Sequence, residues 1–325
     1  MNPITVSVII PAYNASATIA RTLTALKNQD YSGGFEVIVV DDGSSDDTAQ
    51  IVRSFSSVRY VRQDNAGPAS ARNHGARQAQ GEFLAFTDSD CVPHQDWISQ
   101  LLKAFGEIQV GVVAGSYGIA NPESRLAWCV WSEIVWRHER LMPDFPNAFG
   151  SYNFCVKKNV FEAVGGFNSD YPHASGEDND LSYKITESGG RIYFQRKALV
   201  DHYHPTVVRR YLKEQFRHGF WRVKMYADHP RMMQGDGYTY WKDIVEMPLC
   251  GAVVLAAVLS VLGFAAFRDI IYLLLLFFLV FEILSAFFFT HRFFQGIFFG
   301  FILFFRAFAR MFGFSTGILS LLLKK

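Results

Sequence analysis

The N-terminal part of the chain alternates two apolar patterns. "TVSVIIPAY" and "FEVIVVDDG" are short β-branched runs closed by turn residues, the pattern of strands buried on both faces of a parallel sheet. Between them, "SATIARTLTALKNQ" sets Ile19, Leu23 and Leu26 at helical spacing behind a Ser/Thr-rich start suited to capping. A second helix over residues 47 to 55, a strand at "VRYVRQ", a helix through "PASARNHGARQA" and the strand "EFLAFTD" continue the alternation. This order predicts an α/β sandwich around a mainly parallel sheet.

From Met247 onward the pattern changes. "MPLCGAVVLAAVLSVLGFAAF" (247 to 267) carries no charge and "IIYLLLLFFLVFEILSAFFF" (270 to 289) carries only Glu282; each is long enough to cross a bilayer. The short link "RD" between them predicts a hairpin. Residues 293 to 323 contain Arg306 and Arg310 and precede Lys324 and Lys325. That segment spans, or lies at the interface with its arginines snorkelling, and the basic tail favours an interfacial or re-entrant course. Ahead of the hairpin, "VVRRYLKEQFRHGFWRVKMY" sets Val208, Leu212, Phe216, Phe220 and Val223 on one face, with Arg209, Arg210, Lys213, Arg217, Arg222 and Lys224 elsewhere. It reads either as a basic amphipathic helix at an anionic membrane surface or as an ordinary surface helix. The expected divisions are therefore 1–205, an α/β domain; 206–245, an amphipathic juxtamembrane region; and 246–325, a membrane region.

Composition adds limits rather than a function. In 325 residues, 31 Lys and Arg nearly cancel 30 Asp and Glu, so no global charge points to nucleic acid. Cys91, Cys129, Cys155 and Cys250 have no CxxC pairing and no histidine at zinc spacing. Neither a metal cluster nor a disulfide framework is indicated, and a reducing compartment is expected. The start "MNPITVSVIIPAYN" lacks a basic n-region and reads as a first strand rather than a signal peptide.

The candidate chemistry lies where strands end, because ligands of open α/β sheets bind beyond the carboxyl ends of the strands. "PAYN", "DDGSSDD" and "DSD" all fall at such ends. Asp88 and Asp90 either start a turn or offer hard oxygen ligands to a divalent cation carrying phosphates. In "VVDDGSSDDT", Gly43 permits a tight turn and Ser45 and Asp46 suit capping, whereas Asp41, at the strand tip, suits a ligand such as a base. "GEDNDL" has three acids in four residues; Asp178 or Asp180 could cap a helix, leaving another carboxylate as a general base. In "VDHYHP", His202 and His204 would face one side if extended.

"VSVIIPAYN", "VIVVDDGSSDDT", "NAGPASARNHGARQAQGEFLAFTDSD", "GGFNSDY" and "GEDNDL", in that order and spacing, resemble family 2 glycosyltransferases with the GT-A fold, over residues 4 to 205. The resemblance implies an inverting transferase that uses a nucleotide-activated sugar and a divalent metal, Mn²⁺ or Mg²⁺. It implies Pro11, Ala12 and Tyr13 lining the nucleoside pocket, Asp41 recognising the base and Arg72 helping to hold the nucleotide. By the same resemblance Asp88 and Asp90 form the D-x-D pair, Asp90 being the direct metal ligand. Asp178 would be the catalytic base, with Glu177 positioning base or acceptor, and His202 would close over the metal or pyrophosphate.

Processive synthases of this family carry Q-x-x-R-W before their membrane helices. Here Gln215 and Trp221, in "QFRHGFW", do not stand at that spacing, so a non-processive enzyme is expected. The membrane segments add a location and an acceptor class: a multi-pass cell-membrane protein with its catalytic domain cytoplasmic, acting on a lipid-linked or glycan acceptor in cell-envelope or glycolipid synthesis. A nucleotidyltransferase and a non-catalytic membrane scaffold on the same fold are the alternatives. The first lacks a Gly-rich basic phosphate loop, and the second leaves Asp88, Asp90 and Asp178 without a purpose.

Overall fold

A computed structural model describes residues 3–173, 175–235, 239–264 and 266–323. The chain forms two compact units, Met1–Asn121 with Met142–Tyr203, and Pro122–Leu141 with His204–Lys325.

The first unit is built on an eight-stranded mixed sheet in the order β3-β2-β1-β4-β7-β6-β8-β5. Its strands are β1 (Ile4–Ala12), β2 (Gly34–Asp42), β3 (Val58–Gln63), β4 (Phe83–Thr87), β5 (Cys91–Pro93), β6 (Val112–Ile119), β7 (Asn153–Lys157) and β8 (Ile192–His202). The predicted β1, β2, β3 and β4 form the parallel half. β1 lies between two neighbours, and Val8, Ile9 and Ile10 are fully buried, as a strand with both faces covered requires.

The other half determines what meets at the sheet's edge. β7 runs antiparallel to β4 and pairs Asn153 with Thr87, so it begins where β4 ends. β6 is antiparallel to β7 and parallel to β8, and β5 is antiparallel to β8 with Cys91 opposite His202. One edge therefore gathers the carboxyl ends of β1, β2, β4, β6 and β8 and the amino ends of β5 and β7.

Helices α1 (Ile19–Lys27), α2 (Thr48–Arg53), α3 (Pro68–Gln78), α4 (Trp97–Glu107), α6 (Lys158–Ala163) and α7 (Glu177–Glu187) complete this unit; α5 (Arg125–Arg140) belongs to the second. No side-chain hydrogen bond from Thr18 caps α1, and α7 follows Gly176 at φ 115°. Asp46 meets the start of α2 as expected, accepting from the N–H of Thr48, its first residue (3.0 Å), and also from the Ser16 N–H (3.0 Å), which ties the loop after β1 to it. Asp178 and Asp180 lie inside the first turn of α7, which leaves their carboxylates outside any capping role. In α3, a Cβ on Gly75 would stand 2.5 Å from the Ile9 side chain; the bare glycine lets the helix lie on β1 and sets the depth of Arg72.

The second unit contains α5, α8 (Val208–Asp228), a 3₁₀ turn (Pro230–Gln234), α9 (Trp241–Val261), α10 (Ala266–Thr290) and α11 (Phe293–Leu323). Helices α9, α10 and α11 are long and apolar enough to cross a membrane. Arg268 and Asp269 stand in the first turn of α10, and the chain reverses earlier, around Gly263 at φ 97°. The last segment is one unbroken 31-residue helix, about 46 Å long, so it has no re-entrant break.

Arg306 does not snorkel. It is 2% exposed and donates to both carboxylate oxygens of Glu133 at 2.5 and 3.1 Å. Arg137 bridges Glu133 and Asp243 (2.9 and 2.7 Å), and Lys242 lies 2.6 Å from Glu282 and also pairs with Glu246. Buried charges of this kind need partners of opposite sign, and these four helices supply them. The buried stripe of α8 is Tyr211, Gln215, Gly219 and Val223, shifted from the hydrophobic face expected from sequence. Its packing against α11 explains the shift: added Cβ atoms at Gly219 and Gly313 would stand 2.1 Å from the Arg310 carbonyl and 2.0 Å from the Phe216 carbonyl. The two backbones touch where glycine permits it.

Candidate active site

Arg72, on the buried side of α3, joins the two acidic clusters. Its Nη2 donates to Asp88 Oδ1 (2.7 Å) and its Nη1 to Glu177 Oε1 (3.1 Å), with Asp178 Oδ1 at 3.7 Å. It is only 3% exposed, so it lies beneath the carboxylates rather than in front of them.

Residues 177 and 178 are adjacent yet differ in environment. Glu177 is 1% exposed, and its second oxygen accepts from the Ser175 N–H at 2.7 Å. Burial and the neighbouring Asp178 charge push its carboxyl up to about 7, against the opposing effect of Arg72. Asp178 keeps 29% of its side-chain surface and accepts from Ser151 Oγ at 2.6 Å. Ser151 lies two residues before β7, whose amino end pairs with the carboxyl end of β4, which explains its position beside a turn that follows β4. A Cβ at Gly150 would stand 2.6 Å from the Tyr152 ring and 3.7 Å from Asp178 Oδ2, so the glycine makes room for Tyr152 beside the carboxylate.

Asp88 and Asp90 lie in the turn between β4 and β5. Asp88 faces Arg72; burial, with Asp90 and Asp178 nearby, holds its carboxyl above the ordinary value. Asp90 faces the other way, toward His202, with Oδ1 3.5 Å from Nε2, and its carbonyl accepts from the Tyr203 N–H at 3.0 Å. An oxygen of Asp90, Nε2 or Nδ1 of His202 and Sγ of Cys91 lie within 4.8 Å of one another. β5 and β8 place Cys91 and His202 opposite each other although 111 positions separate them in the numbering, a proximity that no local cysteine–histidine spacing could show. Of the two histidines, His202 ends β8, whereas His204 is buried at the start of the second unit.

At the tips of β1 and β2, Ala12 is buried and Tyr13 is exposed, with Pro11 between these extremes. Asn14 adopts φ 50° and accepts through its side chain from the Ser45 N–H (2.9 Å), which fixes the turn. Asp41 is not an open acceptor. It is fully buried and accepts from the Ser44 N–H (2.8 Å), the Tyr60 hydroxyl (2.5 Å) and Arg62 Nη1 (3.3 Å). A base would meet it after Tyr60 or Arg62 moved aside.

The sequence reading missed Ser151, Tyr60, Arg62, Cys91 and Tyr117. The alternation "VRYVRQ" could have placed Tyr60 and Arg62 on one side of β3. Nothing local marks Ser151 or Tyr117; the Tyr117 ring meets the His202 ring edge-on at 5.3 Å and stacks on Tyr152 at 3.6 Å.

Comparison with known proteins agrees with this geometry. Residues 7–165 match the family model Glycosyl transferase family 2. Glycosyltransferase AglE of Haloferax volcanii is 31% identical over 227 residues, covering 68% of this chain and 74% of that protein. The pre-mycofactocin glycosyltransferase of Mycobacterium tuberculosis is 31% identical over 237 residues, 69% of this chain but 48% of that protein. Among solved structures, the mannosyltransferase PcManGT of Pyrobaculum calidifontis, in complex with GDP-Man and Mn²⁺, superposes with TM-score 0.54 at 26% identity, covering 71% of this chain and 65% of that one. With its mixed GT-A sheet, its ordered motifs and these relatives, the chain belongs to glycosyl transferase family 2, the glycosyltransferases that take a sugar from a nucleotide sugar.

Proposed function

We propose that this glycosyltransferase moves a sugar from a nucleotide-diphosphate sugar, with inversion and one transfer per encounter, to a membrane-associated, lipid-linked acceptor in cell-envelope glycan or glycolipid synthesis, its catalytic unit on the cytoplasmic side. The observation that carries the chemistry is the division of labour among the carboxylates around Arg72. Asp178 is half-buried, keeps 29% of its side-chain surface and is hydrogen-bonded by Ser151, the features of a base that receives an acceptor proton. Glu177 is buried against Arg72 and holds the start of α7, which positions Asp178.

Asp90 and His202 fit a divalent cation by their donor types and their 3.5 Å separation. A cation bound there, Mn²⁺ or Mg²⁺, would supply Lewis-acid neutralisation of the diphosphate leaving group, and the Mn²⁺ and GDP-Man of the Pyrobaculum enzyme support this reading. Asp88, held by Arg72, sets the turn that presents Asp90. Pro11, Ala12 and Tyr13, at the tip of β1, suit the nucleoside end of the donor, and Asp41 would join them once Tyr60 or Arg62 moved aside. The membrane acceptor rests on α9, α10 and α11. The absence of the Q-x-x-R-W spacing supports single transfers.

The test uses the full chain in detergent micelles with Mn²⁺, a panel of nucleotide sugars and extracted membrane lipid, the product being followed by mass. A sugar-bearing lipid is expected. If no nucleotide sugar is bound or hydrolysed, the catalytic reading fails; transfer only to soluble acceptors would overturn the membrane acceptor.

A further inference from the structure

β5 and β8 run antiparallel with Cys91 directly opposite His202. Directly opposed residues project to the same face of a sheet, with Cβ atoms about 5 Å apart. Asp90, just before Cys91, turns its carboxylate to the same histidine, Oδ1 standing 3.5 Å from Nε2. The result is an oxygen, nitrogen and sulfur donor set within 4.8 Å. Among the described residues it is the one group of three such side chains able to share an ion. Cys91 is fully buried in the sheet core, so its sulfur joins the donor set from the core side while the half-buried Asp90 and His202 join it from the open side.

Donor softness separates the cations. Mg²⁺ takes oxygen ligands and has little use for sulfur, whereas Zn²⁺, Co²⁺ and their heavier relatives accept thiolate with imidazole and carboxylate, often as three protein ligands with one position left open. We propose that Cys91 is a cation-specificity residue: a thiophilic divalent ion seated by Asp90 and His202 also bonds the Cys91 sulfur and holds the site against Mn²⁺ and Mg²⁺. This rests on reading Asp90 and His202 as the cation seat. On binding, the S–H bond breaks, its proton goes to the buffer, and a sulfur–metal bond forms with no change of oxidation state. Zn²⁺ is therefore an inhibitor that displaces Mn²⁺, and one proton is released per ion.

Co²⁺ is added, without nucleotide, to the full chain in micelles, and its absorption is recorded alongside Mn²⁺ binding by electron paramagnetic resonance. The expected result is a near-ultraviolet sulfur-to-cobalt band in the unaltered protein, absent in Cys91→Ser and Cys91→Ala. Zn²⁺ affinity should fall at least about tenfold in Cys91→Ser, while Mn²⁺ affinity changes by less than about threefold. Visible Co²⁺ bands without the sulfur band, or equal Zn²⁺ affinity in Cys91→Ser, would overturn the role of Cys91 and leave the cation seat standing. Failure of the unaltered protein to bind either Co²⁺ or Mn²⁺ would overturn both. The spectrum of the unaltered protein decides the matter even if the variants do not fold.

Discussion

Replacing Arg72 by Met tests whether the guanidinium holds the acidic site together. Met keeps the length and apolar character of the stem but removes the charge. Most of the cost comes from Glu177, which is 1% exposed and 3.1 Å from Nη1; a hydrogen bond between charged groups is worth about 1.5–3 kcal/mol. Breaking a buried pair costs about 3–5 kcal/mol when the remaining charge is trapped. Asp88 and Asp178 keep 30% and 29% of their side-chain surface, so solvent screens their shares. Glu177 is already pushed up to about 7 and can escape by remaining protonated, which lowers the loss toward about 3 kcal/mol near neutral pH.

For a unit of this size that corresponds to a fall in melting temperature of about 6–12 °C. The assay is thermal unfolding of the full chain in micelles with chelator present, followed by near-ultraviolet circular dichroism. Arg72→Met should lose more stability at pH 8 than at pH 6, and Glu177→Gln should restore part of the loss in the Arg72→Met background. A shift below about 2 °C, or no restoration by the second substitution, would refute the reasoning.

Glu177 alone predicts a pH slope. Its raised carboxyl favours the fold while protonated, so this contribution is complete below about pH 4 and is lost as pH rises through about 7. The stability of the protein relative to Glu177→Gln should decline between pH 5 and 8, and a rise would contradict the burial argument. Asp178→Asn should retain donor binding in calorimetry and lose transfer, whereas Asp90→Ala should lose Mn²⁺-dependent donor binding; equal loss of binding in both would sink that division of roles. Gly313→Val places a side chain against the Phe216 carbonyl, 2.0 Å from the ideal Cβ, and should destabilise the helical unit by about 1–3 kcal/mol or more, seen as lower melting in micelles. Arg306→Met should destabilise the same unit, because the Glu133 carboxylate is left to Arg137 alone (2.9 Å); unchanged melting in micelles would count against the pairing.

The sequence by itself determined the elements whose signals are local. Strands buried on two faces have to read as continuous β-branched runs, and membrane-length helices as long uncharged runs, so β1 to β4 and the apolar hairpin of α9 and α10 were legible without coordinates, whereas Arg306 and Arg310 obscured the unbroken course of α11. Asp88 and Asp90 were legible as an acidic strand end and Glu177 and Asp178 as part of a second acidic cluster, their separate roles being implied only by the family resemblance. Tertiary structure alone decided what these groups meet. Antiparallel β7 brings Ser151 to Asp178, the β5–β8 ladder brings Cys91 to His202, and Gly75 lowers α3 until Arg72 lies under two acidic clusters. The same holds for Arg306: a charge in an apolar helix reads as a surface signal until Glu133 appears beside it. Apolar periodicity is written along one segment, whereas a charge–charge or ligand–ligand distance belongs to two segments, and only the folded chain brings them together.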